Sequence, residues 1–114
     1  MLMQKVNHDT FSDGVLHYGL SETIRDTNRK RIGTNFVSRG KLFYEEVSMR
    51  DQDVMRINAM GKDLNLKIKT PYRKEAVSYQ KIQIEGTEYE VSYVDKDRNV
   101  RLFWYLTRSG DEIE

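Results

Sequence analysis

Along most of the chain, apolar and polar residues alternate with a period of two. This is the spacing that β-strands impose, because successive side chains point to opposite faces. Six segments carry it. Val15 to Arg25 sets Leu16, Tyr18, Leu20 and Ile24 on one face, and Lys41 to Val47 reads KLFYEEV. Leu64 to Thr70 alternates cleanly, with Leu64, Leu66 and Ile68 inward and Lys67 and Lys69 outward. Pro71 ends it, because proline has no N–H for a ladder. Lys81 to Glu85 offers Ile82 and Ile84, and Gly86 supplies a tight turn. Glu88 to Asp95 sets Tyr89, Val91 and Tyr93 on one face, and the run DKDRN turns the chain. Val100 to Thr107 is apolar on both sides, with Val100, Leu102, Trp104 and Leu106 opposite Phe103 and Tyr105. Such a strand is either central and covered, or meets a partner.

Two stretches depart from the pattern. DTNRKRIGTNFVSRG, after Arg25 and up to Gly40, is rich in Asn, Gly and Arg and reads as a long loop. Between Ser48 and Gly61, Val54, Ile57 and Met60 fall near one stripe, which predicts a helix. Ser48 is its expected cap, Asp51 its box partner and Gly61 its end. A stripe this short makes a helix unstable alone. Strands at short intervals with tight turns predict a mainly β fold. The expected form is a small antiparallel β-barrel or sandwich of about six strands, with one short helix and a long loop. The expected division is an N-terminal arm over 1–13, one barrel domain over 14–108 and a C-terminal tail over 109–114.

The length, 114 residues, suits one domain. A chain of this size buries roughly 65% of its unfolded surface. Lys plus Arg number 19 and Asp plus Glu 18, so the net charge of +1 gives no global pull toward nucleic acid or an anionic membrane. With no cysteine, a disulfide framework, a thiolate zinc site and a thiol nucleophile are excluded. No apolar run is long enough to span a bilayer as a helix, and MLMQKVNHDT lacks the apolar centre of a secretory signal. The expectation is a soluble, intracellular chain with no membrane contact.

Searching for chemistry gives little. Asp95, Asp97 and Asn99 stand at the first, third and fifth places of a calcium loop, but Val100 and Leu106 occupy the places that need Gly and Glu. A hairpin turn explains them better. His8 and His17 match no ligand spacing. Gly33, Gly40, Gly61 and Gly86 are scattered, each with a turn or cap explanation, and make no phosphate cradle. The acidic pairs Glu45–Glu46 and Asp51, Asp53 read as solvated or capping groups. No catalytic residue, metal site, cofactor or small-molecule ligand is expected, and the chain is read as not an enzyme. Arg29, Lys30 and Arg31 form a basic cluster suited to DNA phosphates or to an acidic protein neighbour. Tyr89, Tyr93, Phe103, Trp104 and Tyr105 suit either base stacking or a core and subunit interface.

The run from Leu64 to Leu106 resembles the head–tail joining proteins of long-tailed phages, also called head-closure or stopper proteins. In that family a strand ending in TPY leads through a short loop to a strand and a Gly turn. A Y-x-(V/I) strand follows, and then a D-x-(D/N)-R-N-like turn into a last aliphatic or aromatic strand. Thr70, Pro71, Tyr72, Ile82, Gly86, Tyr89, Val91, Asp97, Arg98 and Leu102 match that outline. Upstream, KLFYEEVSMRDQDVMRINAMGKD looks like the family's strand followed by a polar segment of helical character. The likeness spans Gly14 to Leu106. It is a hydrophobic outline with turn residues, without an invariant catalytic signature. The arm before Phe11 and the stretch Arg25 to Gly40 depart from the shortest members.

The resemblance implies a small β-barrel that assembles as a homo-oligomeric ring in the virion. Its neighbours would be portal or adaptor protein on one side and tail proteins on the other. Genomic DNA would pass through the channel without sequence recognition, and assembly would take place in the host cytoplasm. In the stopper type a loop between the second and third strands projects into the channel. Here that segment is Ser48 to Asp63, and the candidate contacts are Ser48, Arg50, Asp51, Asp53, Arg56 and Gly61. The other reading of this segment is a helix plugging one end of the barrel. Phe103 and Tyr105 are the candidate subunit interface. The alternatives are a nucleic-acid-binding barrel using Arg29, Lys30 and Arg31, and a tail-completion protein.

Overall fold

A computed structural model describes residues 10–109. Residues 1–9 of the expected arm, His8 among them, and 110–114 of the expected tail lie outside the described residues. Six antiparallel strands close into one ring: β1 (Gly14–Arg25), β2 (Arg31–Glu46), β3 (Leu66–Pro71), β4 (Lys81–Ile84), β5 (Thr87–Asp97) and β6 (Arg101–Arg108). Their order around the ring is β1-β2-β3-β6-β5-β4. One helix, α1 (Asp51–Ala59), lies between β2 and β3.

The alternation in the sequence fills this ring. Leu16, Ile68, Ile82, Leu102, Trp104 and Leu106 are wholly buried inside it. Trp104 satisfies its indole N–H by donating to Thr70 Oγ1 at 2.9 Å, as a buried indole must. β3 and β4 lie far apart in the ring, so the segment joining them crosses its end. A short 3-10 turn there, Lys74–Ser78, buries Ala76, and Tyr79 stacks at 5.3 Å on Tyr18. The end is thus closed by this turn, and α1 does not plug it.

Closure is uneven. β2 meets β3 only at Glu45↔Lys69 and Glu46↔Ile68, and β1 meets β4 only from His17↔Gln83 to Gly19↔Lys81. Beyond those points the β1–β2 hairpin leaves the ring as a free two-stranded arm, and the molecule measures 72 × 29 × 21 Å.

This arm corrects the expected long loop. Only Asp26 to Lys30 turn the chain, and Arg31 to Gly40 belong to β2. Asp26 builds the turn. Its N–H bonds Lys30 O, its carbonyl takes the Arg29 N–H, and its carboxylate takes the N–H groups of Asn28 and Lys30. Arg29 sits at φ 64, in the left-handed region that usually signals Gly. With Arg there, the turn is not legible, and the strand after it looks like more loop.

Glycines form the corner between barrel and arm. A register shift separates Tyr18↔Gly40 from Gly19↔Ser38, leaving Arg39 as an extra residue, and such a bulge bends and twists a hairpin. A Cβ on Gly19 would lie 2.0 Å from the Val37 carbonyl oxygen, and one on Gly40 would lie 2.3 Å from the Tyr18 hydroxyl. Gly40 is therefore a strand glycine covered by a ring, not a turn residue.

Smaller corrections follow from similar causes. Ser92 is an extra residue between Val91↔Leu106 and Tyr93↔Tyr105. This slip moves Tyr93 off the Val91 face and sends Val94 against the core. Val100 sits half-exposed in the β5–β6 turn, where Arg98 and Asn99 both have positive φ and Val100 N–H reaches Asp97 O at 2.9 Å. The calcium-like run is thus a tight hairpin turn. Asp97 pairs with Arg101.

Candidate functional site

Among the described residues no three His, Cys, Asp or Glu side chains converge as a metal site. His17 bonds Ser38 across the arm at 3.0 Å. Among the described residues the depressions beside Thr34 and Glu88, beside Val15 and Phe43, and beside Lys67 and Tyr105 are open to solvent, and the features that stand out for meeting another molecule are α1, the arm and the base of the hairpin.

The residue that caps α1 is Arg50, not Ser48. Asp53 reaches back to accept the Arg50 N–H at 3.0 Å, which makes Asp53 the box partner in place of Asp51. Gly61, at φ 81, ends the helix as expected. Its N–H bonds Asn58 O, and Lys62 N–H bonds Ile57 O, the paired bonds of a Schellman cap. Ile57 is fully buried, and with Val54 it packs on Leu64, Phe103 and Tyr105. The helix therefore lies on the outer wall of the barrel.

One ion pair fastens it. Lys67 points outward from β3, as its alternation predicts, yet α1 covers it. Its Nζ lies 2.9 Å from Asp53 Oδ2, with the two side chains 10% and 14% exposed. The ammonium also sits 5.7 Å from the centre of the Phe103 ring and 5.1 Å from that of Tyr105, a favourable place for a desolvated cation. Burial pushes the Asp53 carboxyl up. The Lys67 hydrogen bond, the Arg50 N–H and both positive charges outweigh burial and hold it below the usual carboxylate range.

This packing bears on two sets of candidate residues. Tyr105, 5% exposed, is covered by α1 within the same chain, and Phe103 is half-buried beside it. Tyr105 is therefore not a surface open to a neighbouring subunit in this conformation. Of the six residues proposed for the channel segment, Asp53 turns inward to Lys67 and Arg56 stacks over Tyr93 at 5.3 Å. Ser48, Arg50, Asp51 and Gly61 are exposed, as are Met49, Met55 and Met60. An ion pair hidden behind a helix leaves no mark in alternation, since Lys67 reads as an ordinary outward lysine.

Arg29, Lys30 and Arg31 come together at the tip of the arm, all exposed. The tip has no acidic ion-pair partner among the described residues. Arg25 is spent on the turn itself, its Nη1 donating to Arg29 O at 3.2 Å. Ile24 and Ile32 flank the tip, 42% and 62% exposed.

At the other end of the same hairpin, Tyr44 is buried beside Gly14. Burial first, and then the carboxylates of Glu85, Asp13 and Glu46, push its hydroxyl above the usual phenol value. Three acids thus gather at the base. Asp13 accepts the Glu46 N–H at 2.7 Å, and Glu85 stands in the β4–β5 turn at φ 50. Val15 and Phe43, paired across the hairpin one step on from Gly14 and Tyr44, are exposed on its other face, Phe43 by 63%. Alternation alone missed this patch, because its members come from four separate stretches. No family model, no curated protein and no solved structure matches the chain.

Proposed function

We propose that this chain is a structural connector subunit of a tailed-phage virion, one of several copies in a ring joining the portal or adaptor to the tail. The observation that carries the reading is the arm. A closed barrel with a filled core needs no partner to be stable. A two-stranded ribbon beyond it, exposed on both faces and carrying Ile24 and Ile32 in water, buries too little to hold itself in place. Such a ribbon suits a molecule whose remaining contacts come from neighbours. Ring contacts are head-to-tail, and surface charge of both signs can set their register.

The nucleic-acid reading is less well supported. Trp104 lies inside the barrel and Tyr105 under α1, so two of the five aromatics expected to stack bases are covered, and three tip cations do not make a stripe. Purified chain incubated with portal–adaptor complexes is expected to co-sediment with them and add a ring of density below the adaptor. Tight, steeply salt-dependent binding to short DNA, with none to the connector complex, would contradict the proposal.

A further inference from the structure

We infer that copies of this chain interlock head to tail, the basic tip of one arm seating on the acidic base of the next copy's barrel. The inference rests on the ring reading above and specifies its contact. The two surfaces match in chemistry. The tip holds Arg29, Lys30 and Arg31 around exposed Ile24 and Ile32. The base holds Asp13, Glu46 and Glu85 near Tyr44, and the exposed pair Val15 and Phe43 lies one register step away on the outward face of the same strands. Each combines exposed apolar side chains with charged ones, as protein interfaces do, and the charges are of opposite sign. None of these acids is ion-paired among the described residues, and neither are the three tip cations.

The two surfaces cannot satisfy each other within one molecule. They occupy opposite ends of one extended hairpin, Gly14 being at the base and Arg25 at the tip, and a strand of that length separates them by roughly 35 Å. A tip can therefore reach a base only on another copy. In the ring proposed above the contact is heterologous, each copy giving its tip to one neighbour and its base to the other. The arm's free edges agree with this. Among the described residues β1 has no partner other than β2 beyond Gly19, and β2 has none other than β1 over Arg31 to Tyr44, so backbone groups there are open to a neighbour. A DNA partner would explain the tip but leave the acidic base without a role.

The test is zero-length carbodiimide cross-linking of full chains, an equal mixture of isotopically light and heavy protein at low salt, with sedimentation alongside. Mixed-isotope links from Lys30 to Glu46 or Glu85 are expected. Reversing the tip (Arg29→Glu, Lys30→Glu, Arg31→Glu) or the base (Glu46→Lys, Glu85→Lys) should weaken association by about tenfold or more, since like charges then face each other. Mixing the two variants should restore it. All five positions are exposed, so circular dichroism should stay unchanged. Absence of mixed-isotope links, association indifferent to tip reversal, or no recovery on mixing would overturn the inference. Recovery on mixing, in a chain that ignores portal complexes, would keep the interlock and remove the connector role. Normal incorporation of the tip-reversed chain into virion necks would keep the connector role and remove the interlock.

Discussion

The two ends of the β1–β2 hairpin share one pair of strands and one ladder, yet they differ in everything that holds them. At the barrel end Leu16, Tyr18, Leu42 and Tyr44 are buried, and each strand has a second neighbour. From Ser21 to Asn35 no residue is buried, and the ladder stands alone. Hydrogen bonding is similar in the two halves, so burial is what separates them. A backbone hydrogen bond contributes only about 1 kcal/mol net, whereas each large apolar side chain removed from water contributes roughly 1.5–3 kcal/mol. The barrel half is therefore fixed by the chain itself, and the arm is left to whatever it touches.

The sharpest way to break this contrast is at Trp104. Truncation to Ala should cost about 3–5 kcal/mol, read as a shift of the urea midpoint, because it opens a cavity and strands Thr70 Oγ1. A small loss would mean that the ring is not the stable unit. At the corner, Gly19→Ala should cost about 2–3 kcal/mol, since the new Cβ meets the Val37 carbonyl. A tolerated Ala would put the bend elsewhere.

On the outer wall, Asp53→Ala should cost about 2–3 kcal/mol, because it leaves the Lys67 ammonium covered and unpaired. The sign of the pH effect follows from the lowered Asp53 pKa. The pair's contribution is complete above the ordinary aspartate range and is lost as pH falls through the lower folded value. Acid titration of stability should therefore show wild type and Asp53→Asn converging at low pH, and a constant gap would refute the pairing. The smallest effect belongs to the arm. Ile32→Ser should change stability by no more than about 0.5 kcal/mol, and amides from Ser21 to Asn35 should exchange far faster than those of β6. Strong protection there in isolated chain would show that the arm holds itself.

The same contrast decides what was legible in the sequence. Alternation found all six strands, because each buries one face, and Gly61 marked the end of α1. It lost β2 upstream of Lys41, where neither face is buried and no pattern is imposed. It put Tyr93 on the wrong face, because the Ser92 bulge carries no residue signature. It left Phe103 and Tyr105 as either covered or facing a partner, because nothing in a β-period shows that a helix from between two earlier strands will fold over Tyr105. The basic tip was visible as a contiguous run. The acidic base was not, since Asp13, Glu46 and Glu85 meet only after the ring has closed.

Whether neighbours supply what the arm lacks can be seen most directly by electron cryomicroscopy of virion necks assembled in the presence of this chain. A ring of barrels is expected, with each arm lying across the next copy and Arg29 to Arg31 against Asp13, Glu46 and Glu85. A neck without this chain, or a ring whose arms end in solvent, would contradict it.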